Sequence, residues 1–246
     1  MIDARVAQEW VDRWDRQQER YMADREERFT VMADVVAELT SDHPRIVDLG
    51  CGPGSLCDRL GRRLPRAGFV GVDNDRLLLE LGRARYPEIT FAEADMAAAD
   101  WPARAGITEH VDAAVSSTAL HWMAAEDLEQ LYGQVAAMLR PGGVFANADH
   151  LMAGSPVLDV LSRSVRDARA TRAGVDDNEP WRAWWDAILA DERLGELVAE
   201  RAQQPIGSGP NKLSLGDHTE LLRQAGFSEV GTVWQSGDDY VLVGIR

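Results

Sequence analysis

Residues 46–54 read IVDLGCGPG, a short apolar run with one acid, followed by glycines at 50, 52 and 54. Glycine weakens regular structure by roughly 0.5–1 kcal/mol relative to alanine, so three in five positions mark a backbone shape that side chains would block. A strand that runs into such a turn and then into a helix carrying Leu56, Leu60 and Leu64 is the first unit of a βαβ fold with a ligand close to its backbone.

Outward from that stretch the same unit repeats. Strands are expected at 45–50, 68–73, 89–95, 111–117 and 143–149, separated by helical patterns around Leu77, Leu78 and Leu81 and around Leu128, Leu131, Val135 and Met138. Pro141-Gly142-Gly143 stops the last of these helices. Alternation of this kind dictates parallel pairing with right-handed crossovers. Two amphipathic helices, 4–23 and 25–39, precede the repeat. After residue 150 the alternation breaks: 151–216 carries two helical patterns, one through Leu158, Leu161, Val165 and Ala168 and one from Trp181 to Leu189. The loop PIGSGPNK at 205–212 follows, and the length of the whole marks an insertion. A final helix is expected with Asp217 as N-cap and Glu220 as its third residue, ending at Gly226. Strands near 229–235 and 239–245, joined by SGD, must pair antiparallel. The expected fold is therefore α/β: a doubly wound, seven-stranded, mostly parallel sheet with an antiparallel C-terminal hairpin. The expected organisation is a helical lid (1–40), a core (41–150), a helical cap (151–216) and a terminal helix and hairpin (217–246).

The 246-residue chain is 45% hydrophobic, enough for one sizeable core, and its net charge of −15 excludes nucleic acid and anionic membrane as general partners. RLGRRLPR (59–66) is its only dense basic run and reads as a solvated helix end. No run of about 18 apolar residues occurs and the N-terminus is charged, so a cytoplasmic protein without signal peptide is expected. Cys51 and Cys57 are too few for a disulfide scaffold or a four-thiolate zinc site, and read as buried filler.

Ligands of open parallel sheets bind beyond the carboxyl ends of the strands. There the second strand ends in Asp73, 25 residues after Asp48, where an acid can accept both hydroxyls of a ribose. The third ends in Asp95 and Met96, one carboxylate for an exocyclic amine and one apolar side chain for a ring face. The fourth ends near Ser116 and runs into ALHWM (119–123). His121 and His150 lie at carboxyl strand ends, and histidine is the side chain suited to proton transfer at physiological pH, which makes both candidate bases. His43 and His110 precede strands on the opposite edge, and His218, at a helix start, is expected to be exposed.

Taken together, VDLGCGPGS, GVDND, FAEADMAA, LRPGG and the terminal hairpin resemble the class I S-adenosylmethionine-dependent methyltransferase family, in its small-molecule branch. The resemblance covers about residues 44–150 and 217–246. It implies that Gly50, Cys51, Gly52 and Gly54 approach the cofactor by backbone, with Asp48 orienting the turn. It implies ribose contacts from Asp73 with neighbouring Asn74, adenine contacts from Asp95 and Met96, and Ser116 beside the methionine end. Tyr21 in the lid would reach the cofactor's carboxylate. The implied cofactor is S-adenosyl-L-methionine, with S-adenosyl-L-homocysteine as product, and no metal is expected. The acceptor would be a small molecule, aromatic or apolar, met by Trp122, Trp181 and Trp185; a monomer and a homodimer both remain open. A cofactor-binding enzyme of this fold without methyl transfer is the alternative within the same cofactor class, and a binding or regulatory module without turnover is a further class. A nicotinamide-dependent oxidoreductase wants Gly-x-Gly-x-x-Gly, but Ser55 or Cys57 stands in the third place.

Overall fold

The computed structural model describes residues 2–202 and 211–246. Most of the PIGSGPNK loop lies outside the described residues. The elements run α1 (Ala4–Glu19), α2 (Arg25–Leu39), β1 (Arg45–Leu49), α3 (Ser55–Arg63), β2 (Gly68–Asp73), α4 (Arg76–Arg85), β3 (Thr90–Glu93), α5 (Trp101–Arg104) and β4 (Val111–Ser117). They continue with α6 (Ala125–Met138), β5 (Leu139–His150), α7 (Pro156–Ala173), α8 (Trp181–Leu189), α9 (Gly195–Arg201), α10 (Leu215–Gln224), β6 (Glu229–Ser236) and β7 (Asp239–Ile245). Among the described residues no helix is long and apolar enough to cross a membrane.

One seven-stranded sheet has the order β3-β2-β1-β4-β5-β7-β6. Pairing is parallel from β3 to β5, while β7 runs antiparallel to both β5 and β6. The chain winds outward from β1 in one direction and from β4 in the other, so their carboxyl ends flank the switch point where ligands of such sheets bind. One face packs Phe145, Tyr132, Leu128 and Trp101 under α6 and α10. The other packs Phe29, Met32 and Val36 of α2 with Leu56 and Leu60 of α3 onto Ile46, Val115 and Val144. A third cluster holds α1 and α8 on α4: Trp10, Trp184 and Trp185 meet Leu78 and Leu81.

Two expectations are corrected by local chemistry. The last helix begins one turn earlier than expected. Ser214 is its N-cap and Asp217 its N3 residue, each side chain bonding the other's backbone N–H in a capping box. That shift puts His218 on the inner face, 1% exposed rather than in solvent. The first helix stops at Glu19, four residues short of its expected end, and the chain turns through 20–24 before α2. The short α5 and the α9 turn in the insertion lacked a periodic apolar stripe long enough to be read from sequence.

Candidate active site

At the carboxyl end of β1 the backbone turns through φ of 72°, 53° and 89° at Gly50, Gly52 and Gly54. All three lie in the left-handed region. A Cβ on Gly50 would stand 2.3 Å from the Ala119 methyl, and one on Gly54 2.7 Å from the Phe91 ring. The turn is held to β2, because Gly50 and Cys51 donate their N–H to the Val72 carbonyl at 2.8 and 3.0 Å. Gly52 N–H donates to Asp73 Oδ2 at 2.8 Å, and Asp75 N–H to Oδ1 at 2.9 Å. Burial pushes the Asp73 carboxyl up to about 6 despite these bonds. Asn74 and Asp95 are exposed and Met96 half-buried, at the neighbouring strand ends. The sheet therefore brings the glycine turn, Asp73, Asn74, Asp95 and Met96 to one edge. Cys51 and Cys57 are buried, as expected.

Asp48 lies beneath the turn, 1% exposed, accepting one hydrogen bond from the Cys57 thiol and leaving Oδ1 without a partner. Burial pushes its carboxyl up to about 7. A folded-state value above the unfolded one means that stability is lost as pH rises between the two. Asp48→Asn is therefore expected to stabilise the protein at about pH 8 by on the order of 2–4 kcal/mol, and by little at about pH 4. Urea unfolding of both proteins at the two pH values checks this; an advantage independent of pH would contradict it.

The β4 edge is shaped by Thr118, the one described non-glycine residue with positive φ, 52°. The bend seats Ala119 on Gly50 and turns His121 toward β5. His121 Nδ1 lies 2.8 Å from Asp149 Oδ1, and its backbone N–H donates to Oδ2 at 3.3 Å. Burial alone would lower the His121 value, but the charge and hydrogen bond of Asp149 outweigh it and hold the imidazole above its ordinary range. Asn211 pins this loop: its N–H donates to the His121 carbonyl at 2.7 Å, and its amide to the carbonyls of Leu120 and Met123. Behind Asp149, Tyr132 and His218 share a buried hydrogen bond of 2.7 Å, and burial keeps His218 below its ordinary value. Nothing local in the sequence announced Asn211 or Tyr132. Ser116 is fully buried and donates its hydroxyl to the Leu49 carbonyl at 2.7 Å.

The remaining expected residues separate. Trp122 stacks on Trp181 with centroids 6.2 Å apart and lies 4.9 Å from the His121 ring. Tyr21 accepts the Trp181 N–H at 3.1 Å and keeps its own O–H to donate. Trp185, expected on the acceptor side, is instead buried at 8% exposure against Trp14 and Trp184, with Arg201 over its ring. Its place one residue past Trp184 puts it on the packed face of α8. His150 points away from Asp149, toward Asp238 at 3.6 Å, and lines a cavity of about 50 Å³ with Asp159 and Arg163. Adjacent strand residues face opposite sides, which separates the two histidines.

Residues 46–143 match the sequence model of a family described as "Methyltransferase domain". The chain is 30% identical over 189 residues to a trans-aconitate 2-methyltransferase of Delftia acidovorans, covering 73% of this chain and 68% of that one. It is 39% identical over 102 residues to one of Variovorax paradoxus, covering 42% and 37%. With one of Paracidovorax citrulli the match is 34%, covering 72% and 55%. The chain thus spans about half the length of most of these curated relatives. In fold it is similar to an O-methyltransferase family protein from Burkholderia thailandensis, with a TM-score of 0.56, 19% identity, and 88% of this chain and 55% of that chain covered. Human N-acetylserotonin methyltransferase in complex with SAM gives a TM-score of 0.55 at 14% identity, covering 95% and 56%.

Proposed function

Because this chain belongs to the class I S-adenosylmethionine-dependent methyltransferase family, we propose that it transfers a methyl group to a small-molecule acceptor. The residues fit the cofactor: Asp73 stands beside the glycine turn at the carboxyl edge of the sheet and keeps lone pairs beyond its backbone bonds to Gly52 and Asp75. Bound there, S-adenosylmethionine supplies a methyl on a sulfonium, open to in-line displacement. Asp73 takes the ribose hydroxyls, Asp95 the adenine amine, and Met96 the ring face. Most of the rate enhancement then comes from alignment, which recovers roughly 7–11 kcal/mol at best.

The observation that carries the acceptor reading is the His121–Asp149 pair. Asp149 fixes Nδ1, leaving Nε2 to receive a proton from an acceptor hydroxyl or amine as the new bond to carbon forms. An acceptor that is already an anion, as a carboxylic acid such as trans-aconitate is at neutral pH, needs no base. A neutral acceptor lying against Trp122 and Trp181 therefore suits this site better. Incubation of the chain with the cofactor and a panel of hydroxylated aromatics, amines and trans-aconitate, read by mass spectrometry, tests this. Methylation of trans-aconitate alone would overturn the acceptor reading. Calorimetry in which NAD binds and S-adenosylmethionine does not would overturn the whole.

Asp73→Asn is expected to weaken cofactor binding about 10–100-fold, the worth of hydrogen bonds to a charged acceptor. In the unsubstituted chain affinity should fall as pH drops below about 6, where Asp73 takes up its proton. Calorimetric titration across that range checks both; unchanged affinity in the variant would remove Asp73 from the ribose site.

A further inference from the structure

Alternate residues of β5, Phe145, Asn147 and Asp149, face α6 and α10. Phe145 packs against Tyr132 and Phe227, and Asp149 holds His121. Asn147, between them, is fully buried, and neither its amide nitrogen nor its amide oxygen has a hydrogen-bond partner. Its in-register neighbour on β4 is Ser116, whose hydroxyl is given to the Leu49 carbonyl. Its neighbour on β7 is Leu242, which offers no polar side chain. Buried amides are almost always paired in folded proteins, so this one marks a place where something polar is held.

Tyr132 covers this stretch of β5. Its ring lies 5.4 Å from Phe145 and 6.1 Å from His218, and its hydroxyl meets His218 Nδ1 at 2.7 Å. The Asp149 charge acts on both Tyr132 and His218, so the tyrosine spans β5 from residue 145 toward 149, over Asn147. Burial holds the Tyr132 proton on its oxygen, and His218 Nδ1 is its one acceptor among the described residues. The hydroxyl therefore donates to Nδ1, and the single proton of the neutral imidazole stands on Nε2. Nε2 is buried and has no hydrogen-bond partner. Asp149 has capacity to spare. Its Oδ1 takes the His121 ring and the His150 N–H, but Oδ2 takes only the long 3.3 Å bond from the His121 backbone.

A buried water molecule bonds to two to four such groups. We propose that His218 and Asn147 hold a water molecule on Asp149 Oδ2, and are thereby positioning residues for the His121–Asp149 pair. This rests on the reading of His121 as the base. The water accepts from His218 Nε2–H and gives its protons to Asp149 Oδ2 and to the Asn147 amide oxygen. Asp149 is thus kept an anion with Oδ1 turned to His121 Nδ1, and Tyr132 fixes the tautomer of His218 that makes this possible.

The titration of His121 reports the arrangement, because donors to Asp149 draw charge away from Nδ1 and their removal leaves more for the imidazolium. NMR of histidine-labelled protein gives the midpoint with no cofactor or acceptor present. Arg28 and His150, the other charged groups acting on the pair, are left in place. His218→Leu is expected to raise the His121 midpoint by about 0.5–1 pH unit. His218→Gln, whose amide N–H reaches the place of Nε2, is expected to bring it most of the way back. An unmoved or lowered midpoint in His218→Leu overturns the proposal, since a packing role would cost stability and leave His121 where it is. An equal rise in both variants also overturns it. The unsubstituted protein supplies a check that needs no variant to fold: His218 should carry its proton on Nε2, with a cross-peak to bound water. A proton on Nδ1, or no such cross-peak, overturns the proposal. Because no ligand enters, a chain that transfers no methyl group while His121 responds as expected counts against the proposed function and not against this arrangement.

Discussion

Arg28→Met is expected to cost about 3–5 kcal/mol of stability, the effect of removing one partner from a buried ion pair. Arg28 is fully buried where α2 crosses the carboxyl end of β4 and the amino end of β7. Nη1 stands 2.6 Å from Asp239 Oδ1, while Nη2 donates to Ser117 Oγ and to the Met22 sulfur, each at 2.7 Å. The side chain thus ties α2 to the strand that leads into the His121 loop and to the first residue of β7. Methionine fills much of the volume but leaves the Asp239 carboxylate, 3% exposed, without its cation. The large term is that stranded charge rather than the lost attraction. Arg28→Met with Asp239→Leu should therefore recover most of the loss, since an apolar pair of similar volume is often no worse than a buried ion pair. Urea unfolding of the single and double variants measures both. A double variant as unstable as the single would show that the pair contributes mainly through Ser117 and Met22.

That pair joins residues 211 apart in sequence, and it illustrates what periodicity could not reach. The sheet was legible because each strand is a short apolar run bounded by glycine, proline or an acid. The glycine turn was legible because its backbone needs no partner to be recognised. The shared placement of Asp73, Asp95 and Met96 was legible because each lies at or just beyond the end of a strand, and strand ends in a parallel sheet share one edge. Residues that matter through tertiary contact were not. Asn211 lies 90 residues from His121 and reads locally as a loop asparagine, yet it holds the 120–123 segment by three bonds. His218 was misplaced by a single turn, because Asp217 looks as good a cap as Ser214 until the helix start is seen. Trp181, Trp184 and Trp185 are equivalent in composition, and only the packing of α8 on α1 decides which of them faces the site and which the core.

The two histidines are the sharpest instance, and they carry the other large expected effect. His121 and His150 are alike in sequence, each at or shortly after the carboxyl end of a strand. In the fold His121 turns onto Asp149, and His150 turns toward Asp238 on the side of α7. His121→Ala is expected to lower turnover about 10²–10⁴-fold, the usual worth of a general base, with cofactor affinity unchanged. His150→Ala should leave turnover within about twofold, since it meets neither the glycine turn nor the aromatic wall. Asp149→Asn separates orientation from bulk. With the charge present, the imidazole is held above its ordinary value, and activity must rise with pH as the proton leaves. Without the charge, burial is the larger remaining influence and lowers that value, so the acidic limb of the rate profile should move to lower pH. The maximum rate should fall at the same time, because a less basic, unanchored imidazole is a poorer acceptor of the proton. A purely structural role for Asp149 would lower the rate at every pH without moving the limb. Equal losses from His121→Ala and His150→Ala would remove the base from the proposed mechanism and leave alignment alone to account for transfer.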